Sequence, residues 1–240
     1  MNAYPLPRWI AHRGGGALAP ENTLAGFRVA LRLGFRAVEF DVMLTADGVP
    51  VLMHDDTLER TTDGQGPLAA RTWAEVAGLD AGGRFHRAWQ GEGVPRLEDA
   101  LAQCARLRLA ANVEIKPAAG QDAATGRRVA EIVAAWPGTA LLSSFSDEAL
   151  AAAGERAPQV PRALLVEGVP ADWRQRLQAL GCIALHVRAD GLDEAFLGEA
   201  AAAGVPVAAY TVNDGAAAER LFGAGVAALF TDRLDCLGPV

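Results

Sequence analysis

Two short runs of alternating residues carry most of the chemical information in this sequence. If Ala37-Val38-Glu39-Phe40-Asp41-Val42 is a strand, Ala37, Glu39 and Asp41 share one face, and Val38, Phe40 and Val42 share the other. In Ala111-Asn112-Val113-Glu114-Ile115-Lys116 the same alternation sets Asn112, Glu114 and Lys116 against the apolar Val113 and Ile115. Three carboxylates and one ammonium are thereby gathered on polar faces backed by apolar ones. Acids gathered this closely repel one another and are costly to bury unless a cation joins them. With oxygen donors and no cysteine in either run, Glu39, Asp41 and Glu114 suit a hard divalent ion, Mg2+ or Ca2+, better than zinc. The alternative is a ladder of ion pairs among Glu114, Lys116 and arginines.

Two histidines are positioned to join these acids. His12-Arg13 ends the first apolar run and precedes Gly14-Gly15-Gly16, whose backbone N–H groups, with Arg13 and Lys116, form a candidate cradle for phosphate. His54 follows a hairpin signal, Thr45-Ala46-Asp47-Gly48, flanked by Val42-Met43-Leu44 and Val51-Leu52-Met53. Pairing Thr45 with Pro50 around a four-residue loop sets Asp41 opposite His54. Two histidines at one acidic cluster are candidates for general acid and general base. His86 and His186 lack such neighbours in sequence and read as ordinary or peripheral residues. Lys116 is the only lysine in the chain, which supports a role for its compact three-donor ammonium.

The elements that would position these groups repeat along the chain. Candidate strands are Trp9–His12, Ala37–Val42, Ala111–Lys116, Ala140–Phe145, Arg162–Val166, Ile183–Val187, Val205–Thr211 and Ala228–Thr231. Stretches of helical period lie between them, near Thr23–Leu33, Leu97–Leu107, Ala123–Trp136, Asp147–Gly154, Ala171–Leu180, Glu194–Ala203 and Gly215–Gly223. Asn22-Thr23, Ser146-Asp147 and Asn213-Asp214 offer N-caps, and Gly34, Gly181, Gly204 and Gly225 offer left-handed helix ends. Eight strands alternating with helices give an α/β fold, the (β/α)8 TIM barrel, as one domain over residues 1–240. The stretch from about 44 to 96 is too long and irregular for an ordinary βα loop, and it reads as a small insertion after the second strand.

Composition narrows the function. The formal charge of −7 and the lack of any basic run argue against a nucleic-acid partner. Cys104, Cys182 and Cys236 are odd in number and far apart, so they read as free thiols rather than a disulfide framework or thiolate zinc site. No leader pattern and no membrane-spanning apolar run is visible, and a cytoplasmic location is expected. The oligomeric state is left open.

Taken in order, His12-Arg13-Gly14, Pro20-Glu21-Asn22-Thr23, Glu39-x-Asp41-Val42, Thr45-x-Asp47-Gly48, Pro50-Val51-x-x-His54-Asp55, Glu114-Ile115-Lys116, Ser144-Phe145 and Thr211-Val212-Asn213 resemble the glycerophosphodiester phosphodiesterase family over nearly the whole chain. The resemblance implies metal-dependent hydrolysis of glycerophosphodiesters, such as glycerophosphocholine or glycerophosphoethanolamine, to sn-glycerol 3-phosphate and an alcohol. It also implies that Glu39, Asp41 and Glu114 bind the divalent ion, that His12 and His54 form the acid–base pair, and that Arg13 and Lys116 neutralise phosphate. Phe145 and Tyr210 are expected to shape the glycerol pocket. Tyr210 stands where the family often has Trp, and the terminal Thr231-Asp232-Arg233-Leu234 lacks the Pro that commonly follows the Arg. One alternative is a lysophospholipase D-like or phospholipase C-like activity on lipids, favoured if Trp73, Phe85 and Trp89 form an apolar rim. The other is a barrel that binds glycerophosphate without catalysis.

Overall fold

A computed structural model of the chain describes residues 4–239. β1 (Trp9–Ala11) pairs in parallel with both β2 (Ala37–Leu44) and β9 (Ala228–Thr231), which closes a ring. The ring continues from β2 through β4 (Ala110–Ile115), β5 (Ala140–Ser144), β6 (Arg162–Val166), β7 (Ala184–Arg188) and β8 (Val207–Tyr210), every neighbour parallel. Helices α1 (Leu24–Arg32), α3 (Leu97–Leu107), α4 (Asp122–Ala135), α5 (Asp147–Arg156), α6 (Trp173–Leu180), α7 (Glu194–Ala202) and α8 (Gly215–Gly223) connect successive strands of the ring. This is the (β/α)8 barrel. No helix among the described residues is long and apolar enough to cross a membrane.

Strand alternation divides the core into two layers. Val38, Phe40 and Val42 pack outward against the helices with Phe27 and Leu97, and the Phe27 and Phe40 rings stack at 5.3 Å between centroids. Ile10, Ala37, Leu141, Ala163, Ala184, Ala208 and Phe230 fill the barrel interior. Small residues dominate that inner set, so the polar side chains further along the same strand faces have room above them. The helix ends follow local chemistry. Thr23, Ser146 and Asp214 accept the N–H groups of Gly26, Ala149 and Ala217, while Gly34, Gly181, Gly204 and Gly225 all adopt positive φ.

Between β2 and α3 the chain forms β3 (Pro50–Leu52), the four-residue helix α2 (Trp73–Val76) and a small core of its own around Met43, Val51, Leu58, Leu68 and Val76. β3 runs antiparallel to β2 with Leu44 opposite Pro50 and Val42 opposite Leu52. That register is one residue from the expected pairing of Thr45 with Pro50. Thr45 instead closes the turn, its hydroxyl taking the N–H of Val49 and donating to the Asp47 carboxylate. Asp41 therefore lies beside Met53, whose N–H donates to the Asp41 carbonyl, and His54 falls one step beyond the ladder.

Candidate active site

The carboxylates come together at the C-terminal ends of β2 and β4, the end where barrel enzymes carry their chemistry. Parallel register places Glu39 beside Asn112 and Asp41 beside Glu114. One oxygen from each of Glu39, Asp41 and Glu114 lies within 4.8 Å of the others. Asp41 is clamped by Asn22, which accepts the Asp41 N–H at 3.1 Å and donates to its carboxylate at 2.9 Å. Glu39 takes the Arg13 N–H at 2.8 Å.

These acids fit a divalent cation. Burial, and then the neighbouring Asp41, push Glu39 up to about 7. Burial, Asp41 and Glu39 hold Glu114 well above the ordinary carboxylate range. Glu114 Oε1 is buried with no hydrogen-bond partner among the described residues, an unmet demand that an ion would satisfy. The ladder of ion pairs does not meet it: Lys116 Nζ stands 3.7 Å from Glu114 and 4.0 Å from Asp41, beyond hydrogen-bond reach.

Each expected histidine is oriented by a carboxylate. His12 Nδ1 is 2.7 Å from Asp232, which also accepts from Asn213, and His12 Nε2 faces Glu39 at 3.9 Å. Burial works against protonating His12, but Asp232 and Glu39 outweigh it, and its pKa lies above the usual histidine value. His54 Nδ1 donates to Asp55 at 2.6 Å, while Lys116 Nζ lies 3.0 Å from His54 Nε2. A lysine ammonium only donates, so this pair of contacts fixes the tautomer protonated at Nδ1. Burial lowers the His54 pKa, with Arg13 and Lys116 adding to the effect against Asp41 and Asp55. Arg13 is held by Glu21 at 3.0 Å, with its Nε 3.8 Å from Asp41.

Two of the three N–H groups of the glycine loop, and that of Ala17 after it, are already taken by carbonyls. Gly15 and Gly16 donate their N–H groups to the carbonyls of Arg13 and His12, and Ala17 donates to Asp232. Glycine is needed there for close approach: a Cβ on Gly15 would lie 2.6 Å from the Ala19 side chain and 2.9 Å from Gly26 of α1.

Phe145 and Tyr210 meet edge to face at the barrel mouth with centroids 6.2 Å apart, and Phe145 is 45% exposed. Tyr210, His12, Glu39, Asn112, Glu114 and His186 line a central cavity of about 30 Å³. His186 is thus neither ordinary nor peripheral. It is fully buried inside the barrel and bonded to the Tyr4 hydroxyl at 2.9 Å. Desolvation drives its pKa down to about 3, so the ring is neutral. His86 is exposed and accepts the Ala88 N–H at a single turn of helix. The apolar rim that would favour the lipid alternative is not seen: Trp73 packs on the insertion's core under Arg96, and only Phe85 of the three is exposed as a large apolar side chain.

Several groups at the site escaped the sequence reading. Asp55, beside His54, was visible as a partner in principle. Asp232 was not, since 220 residues separate it from His12. Asn22-Thr23 reads as a helix cap, and Thr23 does cap α1, while Asn22, at a φ of 56°, turns back to Asp41.

The chain matches the Glycerophosphoryl diester phosphodiesterase family over residues 12–236. It is 30% identical over 231 residues, 95% of each chain, to a glycerophosphodiester phosphodiesterase from Caldanaerobacter subterraneus. It is 46% identical to mouse glycerophosphodiester phosphodiesterase 1 over 109 residues, 45% of this chain but 33% of that one, so the match spans about a third of the mammalian protein. Among solved structures, an Oleispira antarctica phosphodiesterase in complex with the product sn-glycerol-3-phosphate is similar at a TM-score of 0.92 and 38% identity, covering 95% of this chain and 93% of that chain. Agrobacterium tumefaciens glycerophosphodiester phosphodiesterase is similar at a TM-score of 0.78 and 27% identity, with 96% and 98% covered. With the family match spanning both histidines and all three carboxylates, the chain belongs to the glycerophosphoryl diester phosphodiesterase family.

Proposed function

We propose that this protein is a cytoplasmic hydrolase of small glycerophosphodiesters, such as glycerophosphocholine or glycerophosphoethanolamine, releasing sn-glycerol 3-phosphate and an alcohol. The observation that carries the reading is the buried carboxylate trio flanked by two histidines, each turned toward it by its own acid. The relative solved with sn-glycerol-3-phosphate as product supports the same substrate class.

In this reading Glu39, Asp41 and Glu114 hold Mg2+ or Ca2+, which when bound supplies positive charge for the phosphoryl oxygens. Arg13 and Lys116 bind the remaining phosphate charge, and Phe145 and Tyr210 border the glycerol moiety. His12 and His54 move the protons through Nε2, because Nδ1 of each is committed to a carboxylate. One takes the proton of the attacking hydroxyl as its oxygen bonds to phosphorus, the hydroxyl being either water or the substrate's own glycerol, in which case the cyclic phosphate formed is opened by water in a second such step. The other gives a proton to the departing alkoxide as the electron pair of the broken P–O bond passes to it.

The test is glycerol 3-phosphate release from glycerophosphocholine and glycerophosphoethanolamine by chelator-stripped protein, with and without Mg2+ or Ca2+, beside His12→Ala and Glu114→Ala. Metal-restored turnover that both substitutions abolish is expected. Absence of turnover on both substrates with either ion would overturn the reading.

A further inference from the structure

Arg60, in the insertion just after β3, touches none of the three carboxylates, yet it grips the two acids that orient the phosphate-facing groups. Its Nε and Nη2 donate to both oxygens of Asp55, the Nη2 contact at 2.9 Å. Its Nη1 and Nη2 donate to both oxygens of Glu21, at 2.6 and 2.9 Å. Asp55 Oδ1 is the atom that receives His54 Nδ1, and Glu21 Oε1 is the atom that receives Arg13 Nη1. One planar guanidinium therefore ties His54, on the hairpin, to Arg13, on the loop after β1.

We infer that Arg60 is a positioning residue that fixes the His54 ring relative to the Arg13 fork through Asp55 and Glu21. The geometry asks for more than charge. A guanidinium presents five donors in a rigid plane and can span two carboxylates with two bonds to each, whereas an ammonium is a point donor on a flexible stem. Both acids are only partly buried, with side chains 21% and 29% exposed, so the four bonds together, rather than burial, hold them in place. His12 provides a control within the same molecule, because its acid is Asp232 and no contact links that pair to Arg60 among the described residues.

This inference rests on the phosphodiesterase reading for its kinetic arm and stands apart from it in its spectroscopic arm. Arg60→Met and Arg60→Lys would be compared with the wild-type chain, with thermal melts to confirm folding. In two-bond 1H–15N spectra the wild-type His54 should show the single tautomer protonated at Nδ1. Both variants should show His54 signals shifted and broadened as the ring loses its fixed placement, with the Nδ1 proton kept because Lys116 still donates to Nε2, while His12 keeps its wild-type signals. In turnover of a glycerophosphodiester, kcat should fall by roughly 10- to 100-fold in both variants, with KM changing less than about threefold, as expected for a misplaced catalytic group. An unchanged His54 spectrum, or full recovery of kcat by Lys, would overturn the inference. If the wild-type chain turns over no glycerophosphodiester, the functional reading fails and the His54 spectrum alone decides the role of Arg60.

Discussion

His12 stands at the end of β1 and takes its acid from the far end of the chain, where Asp232 follows β9 beside it in the closed ring. His54 and Asp55 are sequence neighbours on the insertion, reinforced by Arg60 across an open surface. The same device, a carboxylate on Nδ1, is thus built once by barrel closure and once by local chain geometry. Its electrostatics differ accordingly. The barrel pair, set against Glu39, holds His12 above its ordinary pKa, whereas burial beside Arg13 and Lys116 puts His54 below. The barrel concentrates acids that disfavour one another, whereas in the insertion Asp55 is paired with the Arg60 cation.

The largest effects should come from the histidines themselves. Alanine at His12 or at His54 should each lower kcat by on the order of 10²–10⁴, and the double variant should lose little more than the worse single one if the two act in one proton relay. Steady-state kinetics on a glycerophosphodiester at saturating metal would measure this. Fully multiplicative losses would mean that the two regions act independently.

Stability should separate the regions by sign. Glu39 in the folded chain titrates near 7, while the unfolded chain ionises near the ordinary value of about 4.3. Below both values the group is neutral in either state and costs nothing. As pH rises through the interval, the unfolded chain releases its proton first, and the metal-free fold loses stability, by on the order of 3 kcal/mol above pH 7. Glu39→Gln should therefore stabilise chelator-treated protein at pH 8 and change little near pH 4. Asp55 behaves oppositely, since Arg60 and His54 hold it below its unfolded value. Its contribution is present above about pH 4 and is lost as pH falls further. Asp55→Asn should cost at most about 1 kcal/mol at pH 7, the pair being solvent-screened. Denaturant unfolding of both variants at the two pH values checks this, and a destabilised Glu39→Gln at pH 8 would break the contrast.

The orienting acids should rank the same way in kinetics. Asp232→Asn removes the carboxylate that fixes His12 Nδ1, whereas Asp55→Asn leaves His54 Nε2 still held by Lys116. Both should lower kcat, with the Asp232 loss larger by about tenfold, and equal losses would show that the insertion holds its histidine as rigidly as the barrel does.

This division also explains what could be read in the sequence. Period-two alternation at Glu39, Asp41 and Glu114 is a local signal, and the barrel's parallel register turned it into one cluster without further information. The helix-ending glycines and the Thr23, Ser146 and Asp214 caps were equally local. The hairpin was legible as an element but one residue out in register, because the Thr45 hydroxyl serves the turn instead of Thr45 pairing in the ladder. The glycine loop misled for a related reason: its N–H groups look free in sequence, but the loop's own turn brings those of Gly15 and Gly16 back to the Arg13 and His12 carbonyls. His186 and Asp232 depended on strand order around the ring, which no short pattern encodes.

The smallest effect should come from the mouth of the barrel. Phe145 is exposed and contacts Tyr210 by one edge, while Tyr210 is tied down by its hydroxyl, which donates to the Val166 carbonyl at 2.9 Å. Phe145→Ala gives up one aromatic pair and little buried area, so stability should fall by less than about 1 kcal/mol. If the ring borders the bound glycerol moiety, KM should rise about two- to fivefold at unchanged kcat, since contact made equally with ground and transition states affects binding alone. A change in kcat as large as that from Asp55→Asn would place Phe145 nearer the reacting atoms than its exposure indicates, and would move the boundary between scaffold and site outward to the rim.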